Sequence, residues 1–191
     1  MIELRNENLR SIRSGIRVPG YDRTKIRPGI VHIGVGNFHR VHQVTAVEEC
    51  LHAPGNEQWG ITGVGLTDGS SARKKAAFYC VQDSLYTVTE LRSDLTMATQ
   101  VIGAMVEYIH APASPQVVLD RLAHSDTHIV SLTITEGGYN IDETTGEFRL
   151  HQVDVLKRSF GRPSSHCLRI YRICIASPMQ SGSQTFHRGF L

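Results

Sequence analysis

The apolar residues of the chain fall into short runs separated by longer polar segments, beginning at Ile30. The runs at 30–33 and 59–66 are short and rich in β-branched residues, so each predicts a buried strand. Between them, residues 38–51 contain neither Gly nor Pro and predict a helix. Because strands joined through a helix are normally parallel, residues 30–66 are expected to form a parallel βαβ unit.

The helix at 38–51 should face the core through an apolar stripe and end before Pro54-Gly55. The residues expected on that stripe are Val41, Thr45, Val47 and Leu51.

Further elements follow along the chain. They are a short helix at 70–78, an alternating strand at Ser84–Leu91 that could pair with an apolar stretch at Gln100–Val106, a helix from Ser114-Pro115 through Ala123, and a strand at Thr127–Ile134. The sequence contains no internal repeat. Alternation of strands and helices predicts a doubly wound, Rossmann-like α/β fold with a mostly parallel sheet.

Composition and charge divide the chain further. A hydrophobic content of 40% excludes disorder throughout. Residues 1–29 are polar and broken by Gly and Pro, so they are interpreted as a lead-in with a short helical turn, followed by a domain at 30–155. All 18 acids and 14 basic residues lie within residues 1–154, whereas 155–191 hold six basic residues and no acid. Residues 156–191 are therefore set apart as a basic tail.

No run approaches the roughly 18 apolar residues of a membrane span, and the N-terminus lacks the apolar core of a secretory signal. We expect a cytoplasmic monomer with no membrane partner.

The four cysteines, Cys50, Cys80, Cys167 and Cys174, form no CxxC pair, which favours reduced, mostly buried thiols. His39 and His42 lie one helical turn apart, but no further ligand completes a metal spacing, so capping, phosphate contact or packing is favoured and no metal is expected.

The sharpest local feature is Gly34-Val35-Gly36, between the first strand and the first helix. In a dinucleotide site the first glycine makes the tight turn, the second lets the backbone approach the pyrophosphate, and the helix N-terminus favours phosphate. The usual third glycine is replaced by His39. Arg40 could neutralise a phosphate or belong to a solvated helix face. The alternative is that both glycines are present only for steric reasons, to form a strand-to-helix turn without any ligand.

Two carboxylates follow predicted strands. Asp68 lies just beyond the second predicted strand, where a dinucleotide site has the acid that binds the ribose. Beside Gly69 it could also be a turn residue or a helix cap. Glu136 follows the strand at 127–134, which is expected to be buried, and in an open α/β sheet the carboxyl ends of the strands face the ligand crevice. The alternative is that Glu136 bonds the amides of its own loop.

Several motifs in order carry a family resemblance: GVGNFHRVHQ at 34–43, WGITGVGL at 59–66, VIGA at 101–104 and IVSLTITEGGYNIDETTGEF at 129–148. Together they resemble the N-terminal half of the mannitol dehydrogenase family, the long-chain polyol-specific dehydrogenases. NENL at 6–9 and VPGYDR at 18–23 are more similar to the mannitol 2-dehydrogenase branch than to the fructuronate reductase branch. The resemblance covers residues 4–155.

The resemblance implies a metal-independent, NAD-linked interconversion of D-mannitol and D-fructose, or of a related polyol or sugar acid such as fructuronate and mannonate. It implies that Glu136 lies near the nicotinamide and the substrate. The segment that it places at the cofactor consists of Ile33, Gly34, Val35, Gly36, Asn37, Phe38, His39 and Arg40. The family commonly has a small residue at the position of Asn37, and its ribose-contacting acid falls one or two positions after Asp68, so NADP is not excluded.

The family continues into a helical second domain that supplies the catalytic lysine, and this chain has no counterpart to it. The chain is therefore expected to bind cofactor and, by itself, to lack catalysis. The alternatives are a noncatalytic nucleotide-binding module and a misfolded pseudogene product.

The basic tail has two interpretations. Codons that encode residues 185–191 can be read one base later as PFTVVS, and residues 168–177 shift similarly into a string such as FGFIAYALQA, both of which resemble family motifs. A frameshift near residues 155–162, leaving a nonnative tail, accounts for this. The rival is that six cations bind nucleic acid or an acidic surface, but the tail has no periodic basic face, so no nucleic-acid partner is expected.

Overall fold

The computed structural model of the protein describes residues 4–12, 14–133, 142 and 144–147. The strands in this part of the chain are β1 (Ile30–Ile33), β2 (Ile61–Gly65), β3 (Tyr86–Leu91), β4 (Met97–Ile102), β5 (Met105–His110) and β6 (Ile129–Leu132). The helices are α1 (Val44–Leu51), α2 (Ser70–Val81) and α3 (Pro115–Leu122), with 3-10 turns at Asn6–Ser11 and Arg23–Lys25. Glu136 and the tail at 156–191 lie outside the described residues.

Four strands form one parallel sheet in the order β5-β2-β1-β6. In its centre, Ile30 of β1 is in register with Ile61 of β2 and with Ile129 of β6. The parallel βαβ unit predicted at 30–66 is thus confirmed, as is the doubly wound, Rossmann-like fold class. The strand order reverses at β1, because β2 and β5 extend the sheet on one side and β6 extends it on the other.

Hydrophobic clusters lie on both faces of this sheet. Ile30 and Ile61 belong to one cluster, which also contains Val44 of α1 and Tyr79 of α2. Val31 and Val64 belong to the other cluster with Val118 of α3. Because successive side chains of a strand point to opposite faces, a continuous apolar run such as that of β1 serves both clusters.

Strand β6 is confirmed, but it is more exposed than a buried strand. Ile129, Val130 and Leu132 are 40–44% exposed. Within the described residues β6 pairs only with β1, so its other edge has no covering strand there. The prediction of a buried strand at 127–134 is therefore wrong about burial. Residues 127, 128 and 133 lie outside β6, and residue 134 lies outside the described residues.

The first helix faces the core through part of the predicted stripe, since Leu51 is buried and Val47 packs against the core, but it departs from the prediction at its start. Val41 is 44% exposed, whereas Val44, Glu48 and Leu51 are buried. The reason is a π-helical turn at His39–Gln43, immediately before α1. A π-turn holds more residues than an α-turn, so it rotates the following residues relative to a regular 3.6-residue pattern.

The apolar stretch Gln100–Val106 does not form one strand. It contains the end of β4 and the start of β5, which belong to different sheets, since β4 pairs antiparallel with β3. At the break, the backbone N–H groups of Gly103 and Ala104 donate to Glu48 Oε2 at 2.7 and 2.8 Å. This buried carboxylate on α1 thus fixes the bend between the two strands.

The lead-in at 1–29 packs on the domain. Ile26 belongs to the hydrophobic core, the N–H of Arg17 donates to Thr99 at 3.3 Å, and the Tyr21 hydroxyl donates to Glu48 at 2.7 Å. The lead-in is interpreted from the sequence as a segment with a short helical turn rather than a core element, yet it contributes Ile26 to the core. The division of the chain at residue 29 stays a prediction.

Two further observations bear on the sequence predictions. Cys50 and Cys80 are free, but both are exposed, because they lie on the outer sides of α1 and α2. The expected burial of the thiols is therefore wrong for this pair. Among the residues that the structure describes, no helix is long and apolar enough to cross a bilayer.

Candidate cofactor site

The Gly34-Val35-Gly36 turn lies where the order of the parallel sheet reverses. The N–H of Gly34 donates to the carbonyl of Val64 near the end of β2, and the N–H of Thr133 after β6 donates to the carbonyl of Ile33. The turn is therefore held between the carboxyl ends of three strands. In open α/β sheets the ligand crevice forms at this position, because the connections on its two sides leave by opposite faces.

The two glycines of the turn have different roles. Gly34 has a φ of +97°, and a β-carbon there would stand 3.1 Å from the carbonyl oxygen of Thr133. Gly34 is therefore required by the local backbone, both for its left-handed conformation and for its close approach to Thr133. Gly36 is exposed, has no left-handed φ, and a β-carbon there would meet only the carbonyl oxygen of Gly34, at 4.0 Å. The space over Gly36 is open to a ligand.

A helix begins directly after the turn. Residues 37 and 38 are helical, and the N–H of Arg40 donates to the carbonyl of Gly36 at 3.1 Å. The first N–H groups of a helix have no partner within the helix and carry the positive end of its dipole. Asn37 and Phe38 are exposed at this end, Phe38 by 68%.

Two cationic side chains stand at the turn. Lys75 on α2 donates from Nζ to the carbonyl of Val35. Burial, with a contribution from the neighbouring Arg40 guanidinium, lowers the pKa of Lys75. Arg40 donates to Asn37 and lies over the Tyr86 ring, with its guanidinium carbon 5.7 Å from the ring centroid. The positive charges make the surroundings of the turn favourable to an anion.

Tyr86 holds the π-helical turn through a side-chain hydrogen bond to its backbone. Its hydroxyl donates to the carbonyl of Arg40 at 2.8 Å, and burial raises its pKa far above the usual range. The phenol therefore stays protonated and can keep donating to the π-helical turn. Neither Tyr86 nor Lys75 was among the residues predicted from the sequence.

His39 is a packing residue rather than a charged one. Its ring is 1% exposed and stacks on His32 at a centroid distance of 3.6 Å. Burial, helped by the neighbouring His32, lowers the pKa of His39 to about 3. Neither ring nitrogen has a hydrogen-bond partner in the described part of the chain. Of the three roles left open for this histidine, the structure supports packing for the side chain.

His32 connects the pair to β6. Its Nδ1 lies 2.8 Å from Ser131 Oγ and its Nε2 lies 3.2 Å from Thr133 Oγ1. His42 is exposed and contacts Phe38 instead, so the two histidines that are one turn apart do not converge. Within the described ranges, no three His, Cys, Asp or Glu side chains are grouped as a metal site.

Asp68 follows β2, at the surface. Its Oδ1 accepts from the N–H of Gly69 at 2.6 Å and from Arg73 Nη1 at 2.7 Å. The carboxylate thus makes the local turn contact that the sequence left open, and it forms an ion pair with α2. A role towards a ribose stays a prediction.

The structure brings most of the predicted site residues together. Residues 33–40 form one continuous turn and helix start, in which Ile33 and Val35 are buried beneath the surface. Asp68 stands at the end of the adjacent strand. Lys75 could have been suggested from the sequence, since it lies four residues before the buried Tyr79 and such residues share a helix face.

Apart from the glycine turn, the structure has a second candidate site, a cleft of about 340 Å³ called here the second cleft, which contains none of the predicted site residues. Its lining comes from the lead-in, α2 and β5 and consists of Asn6, Arg23, Thr24, Tyr79, Cys80, Asp83, Ser84, Val106, Glu107 and Tyr108. Arg23 is already bound there to the carbonyls of Gly103 and Asp83, both at 2.9 Å. Size alone does not make this cleft the cofactor site, because the glycine turn and the helix start lie elsewhere.

The sequence comparisons decide the family. The model of the mannitol dehydrogenase Rossmann domain matches residues 28–164, which is more than half of the chain. This chain belongs to the mannitol dehydrogenase family.

Curated relatives in the family match most of this chain. A polyol:NADP oxidoreductase of Gluconobacter oxydans is 47% identical over 150 residues, which are 78% of this chain and 30% of the relative. A mannitol 2-dehydrogenase of Pyrenophora tritici-repentis is 40% identical over 154 residues, which are 81% of this chain and 26% of the relative. The chain thus spans less than a third of the length of either protein.

Solved structures agree with the family assignment. D-sorbitol dehydrogenase in substrate-free form has a TM-score of 0.76 and 41% identity, with 90% of this chain and 36% of that chain covered. Mannitol 2-dehydrogenase of Pseudomonas fluorescens, in a ternary complex with NAD and D-mannitol, has a TM-score of 0.78 and 35% identity, with coverages of 92% and 36%.

Proposed function

We propose that this chain binds NAD, with the cofactor pyrophosphate over Gly36 and the first turn of the following helix. The observation that carries the proposal is the open backbone at Gly36, where a β-carbon would meet nothing closer than 4.0 Å. Because this backbone is uncovered, a phosphate can come within hydrogen-bond distance of the N–H groups there.

The remaining residues of the turn fit the same group. Gly34 holds the left-handed turn that directs the chain into the helix, and Lys75 ties the Val35 carbonyl back to α2. Arg40 and Lys75 together offset the negative charge of a pyrophosphate. When bound, the nicotinamide ring exchanges a hydride with the substrate carbon.

The proposed reaction is the oxidation of a polyol to a ketose, with D-mannitol and D-fructose as the first pair to test. Support comes from the relatives, which are named as mannitol 2-dehydrogenases, a polyol oxidoreductase and a sorbitol dehydrogenase. A polyol hydroxyl must lose a proton as its carbon loses a hydride, so the reaction needs a base as well as the cofactor.

We further infer that residues 1–191 bind cofactor without oxidising mannitol on their own. His39, a buried titratable group beneath the turn, has a pKa of about 3 and is therefore a very weak base. The match covers 26–36% of the length of these relatives, so most of their length lies outside it. The catalytic lysine that the family resemblance implies belongs to that part.

Two assays on purified 1–191 test this function together. Calorimetric titration with NAD should give saturable binding, and NAD with D-mannitol should produce no NADH above the rate without protein. A cooperative melting curve shows that the sample is folded. Formation of NADH from mannitol would contradict the noncatalytic part, and a folded sample without NAD binding would overturn the proposed function.

A further inference from the structure

The second cleft is lined by charged side chains whose formal charges are balanced. Its acids are Asp83 and Glu107, and the cation of its lining is Arg23. A second cation, Arg121, pairs with Glu107, with 3.0 Å between Nε and Oε2. Because these charges balance one another, a charged ligand would lose hydration in the cleft without gaining an unpaired counter-charge.

The lining is rich in hydrogen-bond acceptors and poor in free donors. All three nitrogens of the Arg23 guanidinium already donate within the protein, and the Thr24 hydroxyl donates to Asp22 at 2.7 Å. Oδ2 of Asp83 and Oε2 of Glu107 accept hydrogen bonds, at 2.9 and 2.7 Å. The second oxygens of these carboxylates, Oδ1 and Oε1, accept none within the described part of the chain. Since an ionised carboxylate only accepts, a ligand that fits this lining must bring donors.

The wall of the cleft also has an apolar part, to which Tyr79, Cys80, Val106 and Tyr108 contribute. The rings of Tyr79 and Tyr108 stack at a centroid distance of 4.6 Å, and Tyr79 is 2% exposed. These contacts fix the wall before any ligand binds. A preformed cleft of about 340 Å³ that combines apolar area with a few polar groups has the usual character of a small-molecule site.

The turn after α2, which lines the cleft, is strained. Asp83 and Ser84 have φ values of 50° and 61°, a left-handed conformation that is costly for residues with a side chain. Two contacts hold this turn, since the N–H of Ser84 donates to the carbonyl of Tyr79 at 2.8 Å and Arg23 donates to the carbonyl of Asp83 at 2.9 Å. Backbone strain that the surrounding structure maintains is concentrated at ligand sites, so the turn agrees with a binding role for the cleft.

We propose that the second cleft binds a neutral small molecule rich in hydroxyl groups, a sugar or a polyol. The ligand hydroxyls donate to the open carboxylate oxygens of Asp83 and Glu107, while the ligand C–H groups pack against the tyrosine wall. The two carboxylates disfavour a phosphate-bearing ligand, and an ammonium ligand would add a charge to a balanced lining. Because the cleft contains no residue of the glycine turn, this binding is separate from hydride transfer and independent of the proposed cofactor site.

Backbone amide chemical shifts of isotope-labelled 1–191 measure this binding residue by residue. The neutral titrants are D-mannitol and D-glucose, the ammonium probe is putrescine and the anionic probe is inorganic phosphate, all at fixed ionic strength. The amide signals of Asp83, Ser84 and Tyr108 report on the cleft, and the signal of Gly36 reports on the glycine turn.

Three variants test which groups are responsible. Cys80→Phe places a ring in the lining of the cleft. Cys50→Phe is its matched control, because both cysteines are free and exposed but Cys50 lies on α1, outside the cleft. Asp83→Asn removes the carboxylate charge, keeps an acceptor for the N–H of Asn6, and suits a left-handed turn. Melting curves establish that each variant folds.

D-mannitol or D-glucose should shift the cleft signals saturably, with a dissociation constant in the millimolar range, the scale for a ligand of about twelve non-hydrogen atoms. Putrescine and phosphate should leave these signals in place, and Gly36 should respond to neither neutral titrant. Cys80→Phe should weaken the binding by about tenfold or more and Asp83→Asn by about three- to tenfold, whereas Cys50→Phe should leave it within about twofold.

Four results would overturn the inference. If neither neutral titrant shifts the cleft signals saturably, the cleft binds no such ligand, and if putrescine or phosphate binds there instead, the ligand class is wrong. If Cys50→Phe weakens the binding as much as Cys80→Phe, the ligand does not occupy the cleft. If a folded Asp83→Asn protein binds with unchanged affinity, the carboxylate is not the acceptor. None of these results depends on NAD, so each leaves the proposed function standing.

Discussion

Replacing Gly36 by Ala separates the cofactor role of the turn from its structural role. The added methyl group would stand 4.0 Å from the carbonyl oxygen of Gly34 and would meet no other group that close. Where the backbone conformation is compatible, Gly→Ala stabilises a protein by about 0.4–1 kcal/mol, because it restricts the unfolded chain. The melting temperature of this variant should therefore stay equal or rise slightly.

Binding should respond in the opposite direction. The methyl group occupies the space through which a pyrophosphate approaches the backbone, and a hydrogen bond to a charged group contributes about 1.5–3 kcal/mol. Loss of one such bond raises the dissociation constant for NAD by about tenfold or more. Calorimetric titration of the variant and of the unmodified chain measures this change directly.

Two further glycine variants serve as controls. Gly20→Ala places its methyl 3.5 Å from the His52 ring, an ordinary contact outside the site, so it should alter neither binding nor folding much. Gly34→Ala forces a side chain into a φ of +97° and to 3.1 Å from Thr133, so it should destabilise the fold by about 1–3 kcal/mol. Unchanged NAD affinity in a folded Gly36→Ala protein would refute the reasoning.

Three other substitutions test the surroundings of the turn. Lys75→Met removes the contact with the Val35 carbonyl and one cation, so calorimetry should show NAD binding weakened by about three- to tenfold; an unchanged affinity would place the pyrophosphate elsewhere. His39 has a pKa of about 3 in the folded chain against about 6.5 unfolded, so the unfolded chain binds the extra proton between these values and stability falls as the pH drops. At pH 5 this amounts to about 2 kcal/mol, which His39→Leu should remove from the difference between urea unfolding at pH 7 and at pH 5; an undiminished pH dependence would contradict the assignment. Glu48→Ala should lower the free energy of unfolding by about 3 kcal/mol, because it leaves two backbone N–H groups and the Tyr21 hydroxyl without their acceptor; urea denaturation would count against this if the loss were below about 1 kcal/mol.

The sequence predicts β1, β2 and β6 of the parallel sheet, but not β5, because the signal for those three strands is local. Each β-branched run is short, each is followed by a helix-compatible segment, and Gly34 marks the end of β1. Parallel pairing then follows from the helical connection, without knowledge of any contact. The glycine turn is also local, since residues 33–40 are contiguous in the chain.

The features that sequence analysis missed depend on distant contacts. The break between β4 and β5 is held by Glu48, more than fifty positions earlier in the chain, and nothing in the apolar stretch itself indicates it. The π-helical turn at His39–Gln43 changes which residues face the core, so Val41 is exposed where a regular helix would bury it. The spacing to Tyr79 could indicate the helix face of Lys75, but it could not indicate the partner of Lys75, the Val35 carbonyl in the glycine turn.

Backbone amide chemical shifts test directly whether the cofactor lies at the glycine turn. In a titration of isotope-labelled 1–191 with NAD, the amide signals of Gly36, Asn37 and Phe38 should shift progressively and saturate together. Signals from the second cleft, such as those of Asp83 and Tyr108, should stay in place. Saturable shifts confined to the second cleft, with the amides of the glycine turn unchanged, would contradict the central claim.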